Sequence, residues 1–117
     1  MDAFCPFYQH AVELIGGRWT GSILRALVTG VYRFSDLRAT IPGLGDRMLS
    51  ERLKELEAEG LITRRVIPDT PVRIEYLLTD KGTSLGNVML TIAAWAELWV
   101  VLDGATAPQR LATPAST

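Results

Sequence analysis

The fold is decided by residues 34–60, which read FSDLRATIPGLGDRMLSERLKELEAEG. A short helix is predicted over the first part of this stretch, with Ser35 as its cap, and a Pro-Gly pair breaks it. Residues 46–59 contain neither glycine nor proline, are rich in Leu, Glu, Lys and Arg, and precede Gly60, which suits a helix end. The stretch therefore predicts two helices joined by a tight turn.

A change of hydrophobic period follows this helical pair. Apolar and polar side chains alternate over residues 61–67 and again over 72–78, as they do in strands. The segment between the two runs contains two prolines and predicts a stiff turn. We therefore predict a β-hairpin. A helix-turn-helix followed at once by a hairpin is the order of elements in a winged helix.

Further helices are predicted on both sides of this unit. Pro6 suits the first position of a helix that Gly16 and Gly17 stop, and a second short helix ends near Gly30. A long last helix begins near Thr79, and its apolar residues cover more than one face, so one face needs a partner. We expect a homodimer that is joined through its first and last helices. The residues predicted at this interface are Phe7, Ala11, Met89, Ile92, Trp95 and Trp99.

The predicted architecture is mainly α with a small β-hairpin wing, an α+β winged helix-turn-helix that dimerises through its N- and C-terminal helices. A chain of 117 residues fits one domain with one core. We assign residues 1–104 to this domain. Residues 105–117 hold Pro, Ala, Thr, Ser and Gln without periodicity and are predicted to be a disordered tail.

The distribution of charge matters more than its sum. The net charge is −1, so any binding to nucleic acid must depend on a local cationic face. The second helix of the central pair is predicted to pack inward with Leu49, Leu53 and Leu56. The residues predicted to face outward are Arg47, Ser50, Glu51 and Lys54 of this helix, joined by Arg64, Arg65 and Arg73 of the hairpin.

This outward surface has two interpretations. A helix in a major groove and a cationic hairpin beside it reach base edges and phosphates. The same residues also fit a solvated face, in which Arg47 pairs with Glu51 and the hairpin arginines pair with Asp69 and Glu75. The order of the elements favours the first interpretation.

Several other classes of protein are excluded. One cysteine and one histidine rule out an internal disulfide framework and a zinc finger. No stretch resembles a nucleophile elbow, a phosphate-binding loop or a metal motif, so we expect no enzymatic activity, catalytic residue, cofactor or metal. The N-terminus lacks the features of a secretion signal, and the most apolar stretch, 88–102, is too short to cross a bilayer. We expect a cytoplasmic protein without a membrane partner.

Cys5 also has two interpretations. It precedes Pro6 and so stands at a helix start, where the helix dipole favours the reactive thiolate. Alternatively, it is a small residue buried under the dimer, since free cysteines are among the most buried residues. The chain has no second cysteine, so a modification at this sulfur has to be a disulfide to another subunit, a small-thiol adduct or an alkylation.

Four runs of residues, in the right order, resemble one family. They are LIGGRWT at 14–20, RFSDL at 33–37, MLSERLKEL at 48–56 and PVRIEYLLT at 71–79. Together they resemble the HxlR-type, MarR-like winged helix-turn-helix transcriptional regulators. The resemblance extends from Cys5 to about residue 99.

The resemblance implies a bacterial-type regulator that binds an inverted repeat in double-stranded DNA as a homodimer, with residues 46–59 as the reading helix and the hairpin as the wing. It places Arg33 and Ser35 at a helix end that faces phosphate. Together with the charge pattern, it predicts DNA contacts at Arg33, Ser35, Arg47, Met48, Ser50, Glu51, Lys54, Arg64, Arg65 and Arg73.

The resemblance also bears on control. Cys5 resembles the N-terminal cysteine through which several such regulators sense oxidants or electrophiles. Regulation is therefore expected from a modification of this thiol or from a small-molecule effector. The alternative function is a winged-helix module that binds small molecules or proteins without reading a DNA sequence, because a fold does not fix a function.

Overall fold

The computed structural model describes residues 3–102 and 105–106. Five helices are present in this part of the chain, and a hairpin lies between the fourth and the fifth. The helices are α1 (Pro6–Ile15), α2 (Thr20–Val28), α3 (Phe34–Thr40), α4 (Asp46–Ala58) and α5 (Asp80–Trp99). The strands are β1 (Ile62–Ile67), β2 (Arg73–Leu78), β3 (Val101–Leu102) and β4 (Ala105–Thr106). The predicted mainly helical fold with a β-hairpin is confirmed.

The core lies between α2, α3, α4, the base of the hairpin and the face of α5 that meets α2. Its most deeply buried side chains include Ile23, Leu24 and Leu37. The predicted inward face of α4 is also confirmed, since Leu49, Leu53 and Leu56 are buried. Burial of this stripe stabilises the fold and fixes which face of α4 is directed outward.

The ends of α4 and α5 follow from local chemistry. Gly60 adopts φ +77, a conformation that favours glycine, and so ends α4. The Thr79 hydroxyl caps α5 by accepting a hydrogen bond from the Gly82 N–H at 3.0 Å. A side chain at Gly82 would collide with the Leu61 carbonyl oxygen, and one at Gly86 would meet Val28 of α2. The two glycines therefore let α5 approach its neighbours closely.

We call the hairpin formed by β1 and β2 the wing. An isolated β-bridge joins it to the residue before α3. β1 and β2 are antiparallel and pair from Ile62 with Leu78 to Ile67 with Arg73. Arg33 forms an isolated β-bridge with Glu75, and the Tyr76 N–H donates to the Tyr32 carbonyl at 2.8 Å. The sequence did not predict this connection, which anchors β2 beside the start of α3.

Two predicted positions are wrong. Ser35 does not cap α3, because the helix begins at Phe34 and Arg33 is the N-cap residue, without a side-chain cap bond. The β-bridge holds Arg33 in extended backbone, so the helix starts directly after it. Met89 does not lie at an exposed interface, because it is buried in the core, close to Gly21 of α2.

The region after α5 also differs from the prediction of a tail without structure from residue 105. Ala105–Thr106 pairs with Val101–Leu102 as a short antiparallel strand pair. Residues 107–117 lie outside the described residues, and their disorder stays a prediction. Among the described residues, no helix combines the length with the apolar character that a membrane crossing requires.

Candidate nucleic-acid interface

The outward face of α4 presents its charges at the predicted positions. The Arg47 side chain is 94% exposed, and its Nε lies 3.4 Å from Glu51 Oε1. The predicted ion pair is therefore present. Such an exposed pair is worth little, so Arg47 can leave Glu51 for another acceptor at small cost. Met48, by contrast, is half-buried and packs against the core, which leaves only part of its side chain for a contact.

A groove runs between α4 and the wing, and we call it the α4–wing groove. It encloses 440 Å³, and Phe34, Ile74 and Tyr76 contribute its apolar lining. The polar residues that line it are Ser50, Lys54, Glu57 and Arg64.

Lys54 and Arg64 reach this groove from a helix and a strand that are separate in the sequence. Both side chains are exposed, and neither forms an ion pair within residues 3–102. Two of the predicted DNA contacts thus line one groove, and neither has an ion-pair partner in the part of the chain that the structure describes.

The other arginines of the wing are paired. Arg65 Nη2 lies 2.6 Å from Glu75 Oε1, and Arg73 Nη2 lies 3.0 Å from Asp69 Oδ2. For these two residues the predicted pairing with Asp69 and Glu75 is present. The structure therefore divides the predicted wing contacts into paired arginines and the unpaired Arg64.

Glu75 is the buried acid of this region, with 6% of its side chain exposed. The hydrogen bond from Arg65 lowers the pKa of the Glu75 carboxyl, and the charges of Arg65, Arg73 and Arg33 act in the same direction. Burial opposes them by disfavouring the charged form. The carboxyl is therefore ionised at neutral pH and neutralises part of the surrounding cationic charge.

A second cavity, the tip notch, lies between the wing tip and the start of α3. It encloses 310 Å³, and Arg33, Ser35 and Arg73 supply its polar lining. The Nε of Arg73 is buried without a hydrogen-bond partner. This nitrogen is closed to solvent, so a ligand in the notch would have to meet the exposed part of the Arg73 guanidinium group instead.

The residues predicted at the dimer interface form an exposed apolar surface in the single chain. Phe7 is 85% exposed, Trp95 60% and Trp99 68%. Ile92 is also exposed, and Ala11 is half-buried. Large aromatic side chains in water are unfavourable, so this surface suits a protein partner.

Cys5 is exposed at the start of α1, where its Sγ accepts a hydrogen bond from the Tyr8 N–H at 3.5 Å. It is thus the N-cap of the helix. Within the chain it is open to solvent, and burial would require a second molecule. No group of three or more potential metal ligands occurs within the described residues.

Two features of the site were missed by the interpretation of the sequence. The first is the backbone bridge of Arg33, a long-range contact without a local signal. The second is the contact of Glu75 with Arg33, which adds to the predicted pairing with a wing arginine. Arg65 and Glu75 lie directly opposite each other in the register, equally far from residue 70 at the turn. Opposite charges at such positions form a cross-strand pair.

The chain is similar to known proteins over most of its length. The family model for the HxlR-like helix-turn-helix matches residues 14–103. An uncharacterised HTH-type transcriptional regulator, YvaP of Bacillus subtilis (strain 168), is 50% identical over 96 residues, which cover 82% of this chain and 89% of YvaP. The HTH-type transcriptional regulator YodB of the same organism is 44% identical over 96 residues, covering 82% of this chain and 86% of YodB.

The solved structures agree with the sequence comparison. The reduced form of YodB has a TM-score of 0.70 at 43% identity, over 83% of this chain and 95% of that chain. The quinone-bound form of YodB has a TM-score of 0.68 at 40% identity, over 82% of this chain and 100% of that chain. The redox regulator HypR in its oxidised form has a TM-score of 0.76 at 34% identity, over 84% of this chain and 100% of that chain.

Proposed function

The chain belongs to the HxlR-like helix-turn-helix family of transcriptional regulators, and we propose that it binds an inverted repeat in double-stranded DNA as a homodimer. In this proposal α4 enters the major groove and the wing lies against the neighbouring backbone or minor groove. DNA in a bacterial cell is cytoplasmic, which supports a cytoplasmic location. The relatives are regulators, which supports a role without catalysis or a cofactor.

The observation that carries the proposal is the α4–wing groove. Lys54 and Arg64 converge there from two elements without an ion pair within the described residues. Glu57 also lines this groove, but Lys54 and Arg64 are exposed and form no ion pair within the described residues, so both are available to an anion. We assign both to phosphate contacts, because a backbone strand passes between a helix in the major groove and a wing at its edge.

The remaining contacts are assigned by position. Arg47, at the start of α4, is assigned to a base edge, where arginine is the commonest reader of guanine. Ser50, Glu51 and the exposed part of Met48 lie on or beside this face. Arg33, Ser35 and Arg73 are assigned to a second phosphate at the tip notch, because two cationic side chains and a hydroxyl line it together.

The homodimer is supported by the exposed apolar surface of α1 and α5. Phe7, Ile92, Trp95 and Trp99 would be covered by the same residues of a second copy, as in an interface with two-fold symmetry. A two-fold dimer presents two copies of α4 to two half-sites. This geometry requires an inverted repeat with half-sites about one helical turn, or a multiple of it, apart.

We further propose that modification of Cys5, or alternatively a small-molecule effector, controls DNA binding. YodB is known in reduced and quinone-bound forms, and HypR in an oxidised form. The exposed Sγ of Cys5 supports a similar chemistry here. With no second cysteine, the product is a disulfide to a partner or an adduct.

The test is selection of DNA by the purified protein from a pool of random duplexes, followed by binding measurements at increasing salt. We expect enrichment of an inverted repeat and an affinity that falls steeply with salt. Arg25→Gln is the control for variants that remove one positive charge from the proposed interface. Arg25 is exposed on α2 and lines neither the α4–wing groove nor the tip notch, so its loss should leave DNA affinity nearly unchanged. If no repeat is enriched, the chain is a winged-helix interaction module that does not read DNA.

A further inference from the structure

One buried carboxylate contacts cations from two parts of the predicted interface. Glu75 Oε1 lies 2.6 Å from Arg65 Nη2 in the wing, and Glu75 Oε2 lies 3.8 Å from Arg33 Nε at the start of α3. The backbones of Arg33 and Glu75 are joined by a β-bridge. Glu75 therefore links the wing to the helix-turn-helix through both its side chain and its backbone.

The two arginines remain accessible despite this contact. The Arg33 side chain is 41% exposed and that of Arg65 is 54% exposed, whereas Glu75 lies beneath them with 6%. A guanidinium group has several N–H donors in a planar fork. Arg65 can therefore keep its hydrogen bond to Glu75, and Arg33 its ion-pair contact, while both offer further donors to an acceptor that approaches from solvent.

We propose that Glu75 is a positioning residue for DNA binding, which holds the guanidinium groups of Arg33 and Arg65 at a fixed separation so that both contact the phosphate backbone together. The proposal rests on the DNA-binding function proposed above. Free arginine side chains lose rotamer entropy when they bind, and side chains that are already held in place lose less. Preorganisation by Glu75 therefore strengthens phosphate binding.

This role predicts an effect of the opposite sign from simple electrostatics. A carboxylate near DNA repels phosphate, so removal of its charge strengthens binding if charge alone matters. If Glu75 positions the arginines, its removal weakens binding although the protein becomes more positive.

The experiment compares Glu75→Gln with Asp69→Asn on the duplex that the wild type selects from the random pool. Asp69 is the matched control, because it also pairs with a wing arginine, Arg73 at 3.0 Å, but is largely exposed. We expect Glu75→Gln to weaken affinity about tenfold and to lower the salt slope by about one. We expect Asp69→Asn to bind as tightly as the wild type or more tightly. Circular dichroism confirms that both variants are folded.

Equal or tighter binding by folded Glu75→Gln, with an unchanged salt slope, overturns the proposal. Failure of the wild type to select any duplex would instead remove the proposed function itself. If Glu75→Gln does not fold, a double-mutant cycle of Arg33→Ala and Arg65→Ala replaces it. Residues that act as one unit give a double variant whose loss is smaller than the product of the single losses, whereas independent residues give the full product.

Discussion

His10 Nε2 of α1 lies 2.9 Å from Glu59 Oε1 at the C-terminal end of α4. The same end of α4 contacts α5, because the Lys81 ammonium group donates to the Glu59 carbonyl at 2.7 Å. The two helices that we propose form the dimer thus both touch the end of the proposed reading helix. A displacement of α1 therefore has a direct route to α4.

We expect His10→Ala to weaken the mechanical coupling between α1 and α4. The His10 side chain is 68% exposed and that of Glu59 31%, so the free energy of unfolding should change by less than about 1 kcal/mol. The change in DNA affinity on diamide treatment should become smaller than in the wild type, because α1 no longer holds Glu59. Gln9→Ala is the control, since it removes an exposed bond within α1, to Glu13 at 2.9 Å, and leaves α4 untouched. Identical responses of the two variants would argue against the route.

We expect Trp95→Glu to dissociate the homodimer. The charge would be buried without a partner in an interface built from aromatic side chains. Sedimentation of the wild type should give about twice the chain mass of 12.9 kDa, and the variant should give the single mass. Val72→Glu, at the exposed wing tip, should remain a dimer. A wild type that sediments as a monomer at micromolar concentration contradicts the prediction.

We expect the DNA contacts to fail in two different ways. Arg47→Ala should weaken binding to the selected repeat by about 1–3 kcal/mol and relax preference at one base, if Arg47 reads that base. Arg64→Ala should weaken binding to all duplexes and lower the salt slope by about one. Fluorescence anisotropy over a range of salt separates these outcomes. If both folded variants bind DNA as tightly as the wild type, the surface formed by α4 and the wing does not bind DNA.

The helices and the hairpin were predictable because their signals are local. Pro6 and Gly60 mark helix ends, and alternation along 72–78 marks a strand, so nearby residues alone contain the information. The prediction that Ser35 caps α3 was wrong, because the start of this helix is set by a bridge between Arg33 and Glu75, which are far apart in the sequence. The prediction that Met89 lies at the dimer interface was wrong, because the sequence of an apolar helix does not show which of its faces packs against α2.

The outward direction of the candidate site was predictable from the sequence, but which of its arginines stay unpaired was not. The outward direction of Arg47 and Lys54 followed from the inward leucines of α4. Whether a wing arginine is paired depends on distances across the hairpin, which divide Arg65 and Arg73 from Arg64. Only the register, which the turn fixes, places Glu75 opposite Arg65.

We expect the contribution of Glu75 to stability to depend on pH. The pKa of the Glu75 carboxyl is lower in the folded chain than in the unfolded chain, chiefly because Arg65 donates a hydrogen bond to it. The contribution is therefore fully present above the unfolded pKa and is lost as the pH falls through the folded pKa. Thermal unfolding at neutral pH should show Glu75→Gln below the wild type, and the difference should shrink as the pH falls below the pKa of an unfolded glutamate. A difference that is constant with pH would contradict this linkage.

The sulfur of Cys5 is exposed and caps α1, so we expect it to be modified by oxidants and electrophiles. Cys5→Ser is a well-matched variant, because a serine hydroxyl also accepts from the N–H groups of a first helical turn. The helix should therefore form, and only the thiol chemistry should be lost. A quinone adduct or a disulfide to a partner should change the DNA affinity of the wild type several-fold or more, consistent with a coupling of about 1–3 kcal/mol.

The expected change arises because both reading helices must fit half-sites at a fixed spacing. Bulk or a cross-link at Cys5 acts at the start of α1, and α1 contacts the end of α4 through His10 and Glu59. A small displacement is then felt at both half-sites of the repeat. DNA affinity is measured for the wild type and for Cys5→Ser before and after peroxide, diamide or quinone, with mass spectrometry to identify the product. If both proteins keep the same affinity while the wild-type sulfur is modified, Cys5 only caps the helix, and the regulator responds to a non-covalent effector instead.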